Sequence, residues 1–301
     1  MVNTGNFQKI IRNKFKFEIV KIFPILNPKY KIRNIKNVIE GKVPKKYFNF
    51  IPKSYDIIGQ IAIVEFNNEI DELNINYNLK KEIAKAIVIV NSKVNTVFEK
   101  ASKVKGKYRR RELRLIYGTE KYETVYRENK CVFKLDVKKT FFTPRLVFER
   151  NRISSLKYKE GEIVFDLFAG VGTIAIQIAK SKNVQVYAFD INPYAYSYLL
   201  KNLNLNNLKG VTLPFNINVR DLITSDNLRE IFHKAKKDSI LHSYHFCNKK
   251  APISNALINL EQTLQENNYR VKKVLHSRVV KAYSPTQDLV VIDSLLVSEN
   301  K

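Results

Sequence analysis

The chain has 301 residues, 45% of them hydrophobic, which is enough for about two domains with cores of their own. Its 53 Lys and Arg against 28 Asp and Glu leave a formal net charge of +25, which excludes an acidic solvating protein and points to a polyanionic partner, RNA or DNA before a membrane. The other reading of that charge is a solvated, Lys-rich surface from a biased composition.

Cys131 and Cys247 are the two cysteines and lie far apart, so neither a metal pattern nor a disulfide framework is expected and a cytoplasmic setting is. No apolar run approaches the roughly 20 residues of a membrane span, and the N-terminus is basic and mixed rather than signal-like.

In chain order, the first 50 or so residues are strongly basic. "FKFEIVKIF" alternates like a strand, and a short helix is expected after Val43. "YDIIGQIAIVEF", from Tyr55 to Phe66, is a β-branched run closed by Asn67 and Asn68. "NLKKEIAKAIVIVN" has helical spacing, and "VNTVFEKAS" and "RRRELRLIYG" read as strands. "YETVYRENKCVFKLDV" reads as a hairpin turning at Glu128-Asn129-Lys130. After "FFTP" the pattern changes. "RLVFERNRISSL" is a basic helix, and from Gly161 strands and helices alternate as in a parallel sheet. A helix and two strands joined at Ser284-Pro285 close the chain, and "LHSYHF" reads as a core strand with His242 and His245 on opposite faces. The expected fold class is α/β, with a Rossmann-like domain over residues 146–301, a smaller α+β domain over 51–145 and a basic segment over 1–50.

"VFDLFAGVGTIAIQIAK" places Gly170 and Gly172 between an apolar strand and a helix. A dinucleotide fingerprint wants a third glycine, where Ala175 stands. Asp190 closes the next strand, where a carboxylate can accept both hydroxyls of a ribose. Asp166 precedes the glycines, where it suits an ammonium group better than a pyrophosphate. The pattern is more consistent with S-adenosylmethionine than with NAD; the bland alternative is an ordinary tight turn.

"VFDLFAGVGTIAI" followed by "AFDINPYAYSYLLKNLNLN" resembles class I S-adenosylmethionine-dependent methyltransferases. Together with "YDIIGQIAIVEF", "YRRRELRLIYG", "KKTFFTPRLVFERNRI" and "RVVKAYSP", the chain from about Val43 onward resembles the archaeal and eukaryotic tRNA (guanine-N1)-methyltransferases, which modify guanosine 37 beside the anticodon. The resemblance implies a monomer acting on the anticodon arm of tRNA, with S-adenosylmethionine as cofactor and no metal. It implies Glu149 as general base toward guanine N1 and Arg109 as donor to O6. It assigns Asp166, Phe168, Gly170, Gly172, Asp190, Ile191 and Asn218 to the cofactor. Arg111, Phe141, Arg145 and Arg150 go to the RNA. Without the family, Glu149 reads as half of a helical charge pair, and Arg109 to Arg111 as a solvated basic strand.

Three departures stand out. Phe141 sits where the family often carries tyrosine, and Asn218 where it usually carries an acid. The stretch after Asp221 is shorter than expected by roughly a dozen residues, about one strand with its turn. A sister family, the wybutosine-pathway aminocarboxypropyl transferases, shares "YDIIG" and the glycine turn but is not similar at "PRL…ER". The rivals are therefore a wyosine-pathway transferase, by second methylation or aminocarboxypropyl transfer, and a tRNA-binding protein with a degenerate methyltransferase domain.

Overall fold

The computed structural model describes residues 33–71, 78–102, 106–218, 239–265 and 269–298. The strand expected at "FKFEIVKIF" and the shortened stretch after Asp221 lie outside the described residues.

A short helix α1 (Ile35–Ile39) and a 3-10 turn (Lys45–Phe50) lead into β1 (Tyr55–Ile58) and β2 (Ile61–Val64). The run "YDIIGQIAIVEF" is thus two antiparallel strands folded at Gly59-Gln60, with Ile58 opposite Ile61. All four residues of β2 are buried, so the period-2 alternation that separates strands in sequence is missing there. Helix α2 (Leu79–Val90) starts at Asn78, whose side chain accepts from the Lys81 N–H. It lays Ile83, Ala84 and Ile87 on Ala62, Val64 and Val97. β3 (Thr96–Lys100) runs parallel to β2, and β4 (Leu113–Tyr117) returns antiparallel to β3.

Next comes the expected hairpin of β5 (Glu123–Glu128) and β6 (Cys131–Asp136). Asn129 and Lys130 take positive φ (46° and 62°), the mirror-image turn that matches strand twist. A 3-10 turn (Pro144–Leu146), capped by Thr143, runs directly into α3 (Val147–Ser154). β7 (Ile163–Asp166), α4 (Ala175–Ser181), β8 (Gln185–Phe189), α5 (Pro193–Asn204) and β9 (Val211–Phe215) follow, and the three strands form a parallel sheet in the order β7-β8-β9. Hairpin β5–β6 packs into this half. Cys131 and Phe133 share a core with Ile153, Ile176, Val186 and Leu199.

β10 (Ile240–Asn248), α6 (Pro252–Gln265), β11 (Tyr269–Ala282) and β12 (Gln287–Ser298) complete the described chain. β12 lies between β10 and β11, antiparallel to both, and α6 packs Ala256, Leu260 and Leu264 on that sheet. β10 is an outer strand of its three-stranded sheet, and "LHSYHF" is half-exposed rather than core. Among the described residues no helix is long and apolar enough to cross a membrane, and no cluster of His, Cys, Asp and Glu is arranged to hold a metal ion.

Candidate functional site

The glycine turn joins the C-terminal end of β7 to α4. The Ala169 N–H donates to the Phe189 carbonyl (2.9 Å) and the Gly170 N–H to Asp190 Oδ2 (2.8 Å). The Asn192 N–H donates to Asp190 Oδ1 (2.8 Å), so Asp190 braces both the turn and the start of α5. Gly170 and Gly172 have φ of +56° and +90°, a region that glycine enters without strain. They differ in their surroundings. A Cβ on Gly172 would lie 2.4 Å from Leu199 Cδ1, whereas a Cβ on Gly170 would meet nothing within 4 Å. Gly172 is there for packing, and Gly170 borders open space.

Asp166 closes β7, and its Oδ2 is buried without a hydrogen-bond partner. Burial pushes its pKa up to about 6, the amides of Phe168 and Ala175 oppose this, and the charge of Asp190 adds to it. Burial also raises Asp190, against the amides of Asn192 and Gly170. An orphaned carboxylate oxygen calls for a cationic partner such as an ammonium group. Phe168 is 84% exposed in the same turn, Ile191 is half-buried beside Asp190, and Asn218 is half-buried beyond β9. Asn216 reaches the Asp190 carbonyl from that side (2.8 Å).

A second feature is a cavity of about 180 Å³. It is lined by Arg109, expected to face guanine O6, by Arg111, Phe141 and Arg145, expected to face RNA, and by Asp56, Lys281 and Tyr283, for which the sequence carries no expectation. Arg109 takes φ +50° in a turn rather than a strand, and its guanidinium lies 5.4 Å from the Phe141 ring centroid. Arg145 Nε donates to Asp56 Oδ1 (2.6 Å) and ties the turn before α3 to β1. Burial lowers the Lys281 pKa, the charges of Arg145 and Arg150 lower it further, and Asp56 opposes them. Cations and aromatic rings around one cavity suit a phosphate-bearing planar ring.

Arg150 corrects the sequence reading. It is 5% exposed and turned inward, with Nε and Nη2 on the two oxygens of Glu128 and Nη1 on the Thr143 carbonyl (3.0 Å). Gln177 also donates to Glu128 (2.8 Å). A guanidinium committed in this way does not reach RNA phosphates. Its position on the buried face of α3 decides this.

Glu149 is 3% exposed and does not line the cavity. Its Oε1 accepts from Arg152 Nε (3.0 Å) and Nη2 (2.7 Å) and from the Tyr244 hydroxyl (2.8 Å), and its Oε2 accepts from Arg278 Nη2. Arg152 is gripped in turn by both oxygens of Asp293, which also meets His242 Nδ1 (2.7 Å). Burial alone would raise the Glu149 pKa. Hydrogen bonds from Arg152 and Tyr244, with the charges of Arg152 and Arg278, outweigh burial and leave it below its ordinary value. The helical charge pair is therefore real, but it is one part of a network spanning α3, β10, β11 and β12. Tyr244, Arg278 and Asp293 had no local signal, since only sheet pairing brings three distant strands to one helix.

Two family models match the chain: "TRM5/TYW2 methyltransferase domain" over residues 124–272 and "TYW2 N-terminal domain" over residues 35–121. Among curated relatives, the tRNA (guanine(37)-N(1))-methyltransferase Trm5b of Pyrococcus abyssi is 38% identical over 264 residues, covering 83% of this chain and 77% of that protein. The tRNA(Phe) (4-demethylwyosine(37)-C(7)) aminocarboxypropyltransferase of Methanocaldococcus jannaschii is 30% identical over 256 residues, covering 80% and 96%. Among solved structures, the complex of aTrm5 with tRNALeu superposes with a TM-score of 0.72 at 28% identity, covering 96% of this chain and 86% of that one. TYW2 from P. horikoshii in complex with MeSAdo superposes with 0.67 at 25% identity, covering 87% and 98%.

Proposed function

The chain belongs to the TRM5/TYW2 methyltransferase family, and from that premise we propose that it transfers a methyl group from S-adenosylmethionine to N1 of guanosine 37 in tRNA. S-adenosylmethionine is the cofactor, and when bound it supplies a methyl group activated by a sulfonium. The unpartnered Asp166 oxygen beside the open flank of Gly170 is the observation that carries this reading, because it fits the ammonium of a methionine moiety. Asp190 has carboxylate lone pairs beyond its two amide partners for a ribose hydroxyl, and Phe168 offers an exposed ring. Ile191 and Asn218 would flank the adenosine part.

Guanine N1 carries a proton at neutral pH, so its methylation needs a base at N1 and a donor at O6. In this reading Glu149 accepts the N1 proton. Its carboxylate is held ionised by Arg152 and Arg278, so it is ready to accept without first losing a proton of its own. Arg109 donates to O6, and Phe141 beneath it offers a face for the extruded base. Arg111 and Arg145 would hold phosphates of the anticodon arm. Residues 51–145 would face the RNA and 146–301 the cofactor, with hairpin β5–β6 of the first region packed into the core of the second.

Aminocarboxypropyl transfer is the second reading, favoured by the match of residues 35–121 to the TYW2 N-terminal domain and by the aminocarboxypropyltransferase relative. One experiment separates the two. S-adenosylmethionine labelled separately in the methyl and carboxyl groups is incubated with tRNA transcripts carrying guanosine or adenosine at position 37, and with tRNA carrying the demethylwyosine precursor. Methyl label in the guanosine transcript alone supports the proposal. Carboxyl label in the precursor tRNA replaces it with the second reading.

A further inference from the structure

The two oxygens of Glu149 are held differently. Oε1 takes three hydrogen bonds, two from Arg152 and one from Tyr244, and Arg152 cannot leave without abandoning Asp293 as well. Oε2 takes its hydrogen bond from Arg278. The Arg278 side chain is 35% exposed against 19% for Arg152. It sits on β11 between register shifts at Val274/His276 and Val279/Lys281, where the ladder is irregular. One oxygen is therefore anchored on the protein side, and the other is covered by the more solvent-accessible cation.

A base needs one oxygen fixed for orientation and one free to receive a proton. We propose that Arg278 is the positioning residue of the base: it occupies Glu149 Oε2 in the free protein and yields that oxygen to the guanine N1–H when the base enters. The proton leaving N1 is then received by Oε2, while Arg152 and Tyr244 keep Oε1 and the carboxylate plane in place. Arg278 stays within reach as counter-charge. This rests on the reading of Glu149 as the base. The groups that face its carboxylate are Arg152 on its own helix, Tyr244 on β10 and Arg278 on β11, with Asp293 on β12 behind Arg152 and His242 on β10 behind Asp293.

The test uses the full chain with Arg278→Gln and Arg278→Lys. The Glu149 carboxyl is titrated by carbon NMR on protein labelled with ¹³C-glutamate, its signal assigned by loss in Glu149→Gln. Single-turnover methyl transfer to a guanosine-37 transcript is followed against pH, and steady-state turnover at varied tRNA concentration gives KM. Arg278→Gln should raise the carboxyl pKa by about one unit, the effect of losing one adjacent opposite charge. It should move the acid limb of the rate profile by the same amount and lower KM for tRNA, since Oε2 is no longer occupied. Arg278→Lys should leave the carboxyl pKa where it was. An unmoved carboxyl pKa, or a raised KM from a lost RNA contact, overturns the proposal. A shifted carboxyl pKa with an unmoved acid limb leaves the clamp standing and removes Glu149 as the base.

Discussion

Arg150 and Glu128 form a buried bidentate ion pair between helix α3 and the end of strand β5, with Gln177 of α4 as a third partner. Removing one member of such a pair strands the other charge in a low dielectric, which costs far more than the pair itself contributes. Arg150→Met should therefore lower unfolding free energy by about 3–5 kcal/mol. Arg145→Ala, five residues earlier and half-exposed on its ion pair with Asp56, should leave stability within about 1 kcal/mol and reduce the salt slope of tRNA binding by about one. Urea melts and filter binding at several salt concentrations measure both. Equal effects of the two variants on tRNA affinity in the folded state would contradict the division.

Asn202 joins the hairpin to the half that carries the parallel sheet. Its Oδ1 accepts from the Lys134 N–H (2.7 Å), and its Nδ2 donates to the carbonyls of Lys134 (3.0 Å) and Val171 (2.9 Å). Asn206, one turn on, does the same for Val132 (2.9 and 2.8 Å). Asn202 on α5 and Asn206 just past its C-terminal end thus serve the free edge of β6 as a neighbouring strand would. Asn202→Ala leaves three backbone groups without partners in a fully buried place, and should cost on the order of 3 kcal/mol. A loss under about 0.5 kcal/mol by denaturation would mean that water replaces the amide there.

The parallel half and the β5–β6 hairpin were legible because their signals are local: alternation, a turn at Asn129-Lys130, and glycines between strand and helix. Arg145 and Arg150 could not be told apart in the sequence. Both flank Glu149, and only the rotation of α3, which buries Glu149, Arg150, Ile153 and Ser154, sends one inward. β1 and β2 merged into one run because β2 is buried on both faces. The ring of partners around Glu149 was invisible for a different reason. Tyr244, Arg278 and Asp293 are brought together by antiparallel register, with His242 opposite Asp293 and Arg278 opposite Val291, and no spacing along the chain encodes that.

The two glycines of the turn should separate fold from binding. Gly172→Ala forces a Cβ to 2.4 Å from Leu199 and 2.9 Å from Ile176, inside a close-packed core. It should destabilise the protein by about 1–3 kcal/mol or more, since positive φ adds strain to overpacking. Gly170→Ala also carries the strain of φ +56°, but its methyl enters open space. It should cost about 1 kcal/mol of stability and reduce S-adenosylmethionine affinity by more than Gly172→Ala does in the folded protein. Thermal melts and calorimetric titration report each quantity. Unchanged cofactor affinity in Gly170→Ala would place the cofactor elsewhere.

Asp166 gives a pH signature. Its folded-state pKa, pushed up to about 6 by burial, lies above its ordinary 3.8. Between these values the folded chain binds a proton that the unfolded chain has released. Stability is therefore highest below pH 3.8 with respect to this group, falls as pH rises toward 6, and is level above it, by about 3 kcal/mol in all. A cationic ligand group reverses the preference, because it pairs with the ionised form. S-adenosylmethionine binding should thus tighten from pH 5 through about 6 and level off above, with proton release at the lower end. Calorimetry in two buffers of different ionisation enthalpy counts the released protons, and Asp166→Asn should flatten the profile while weakening binding. Affinity independent of pH from 5 to 8 would show that the buried oxygen of Asp166 is not the partner of the ammonium group.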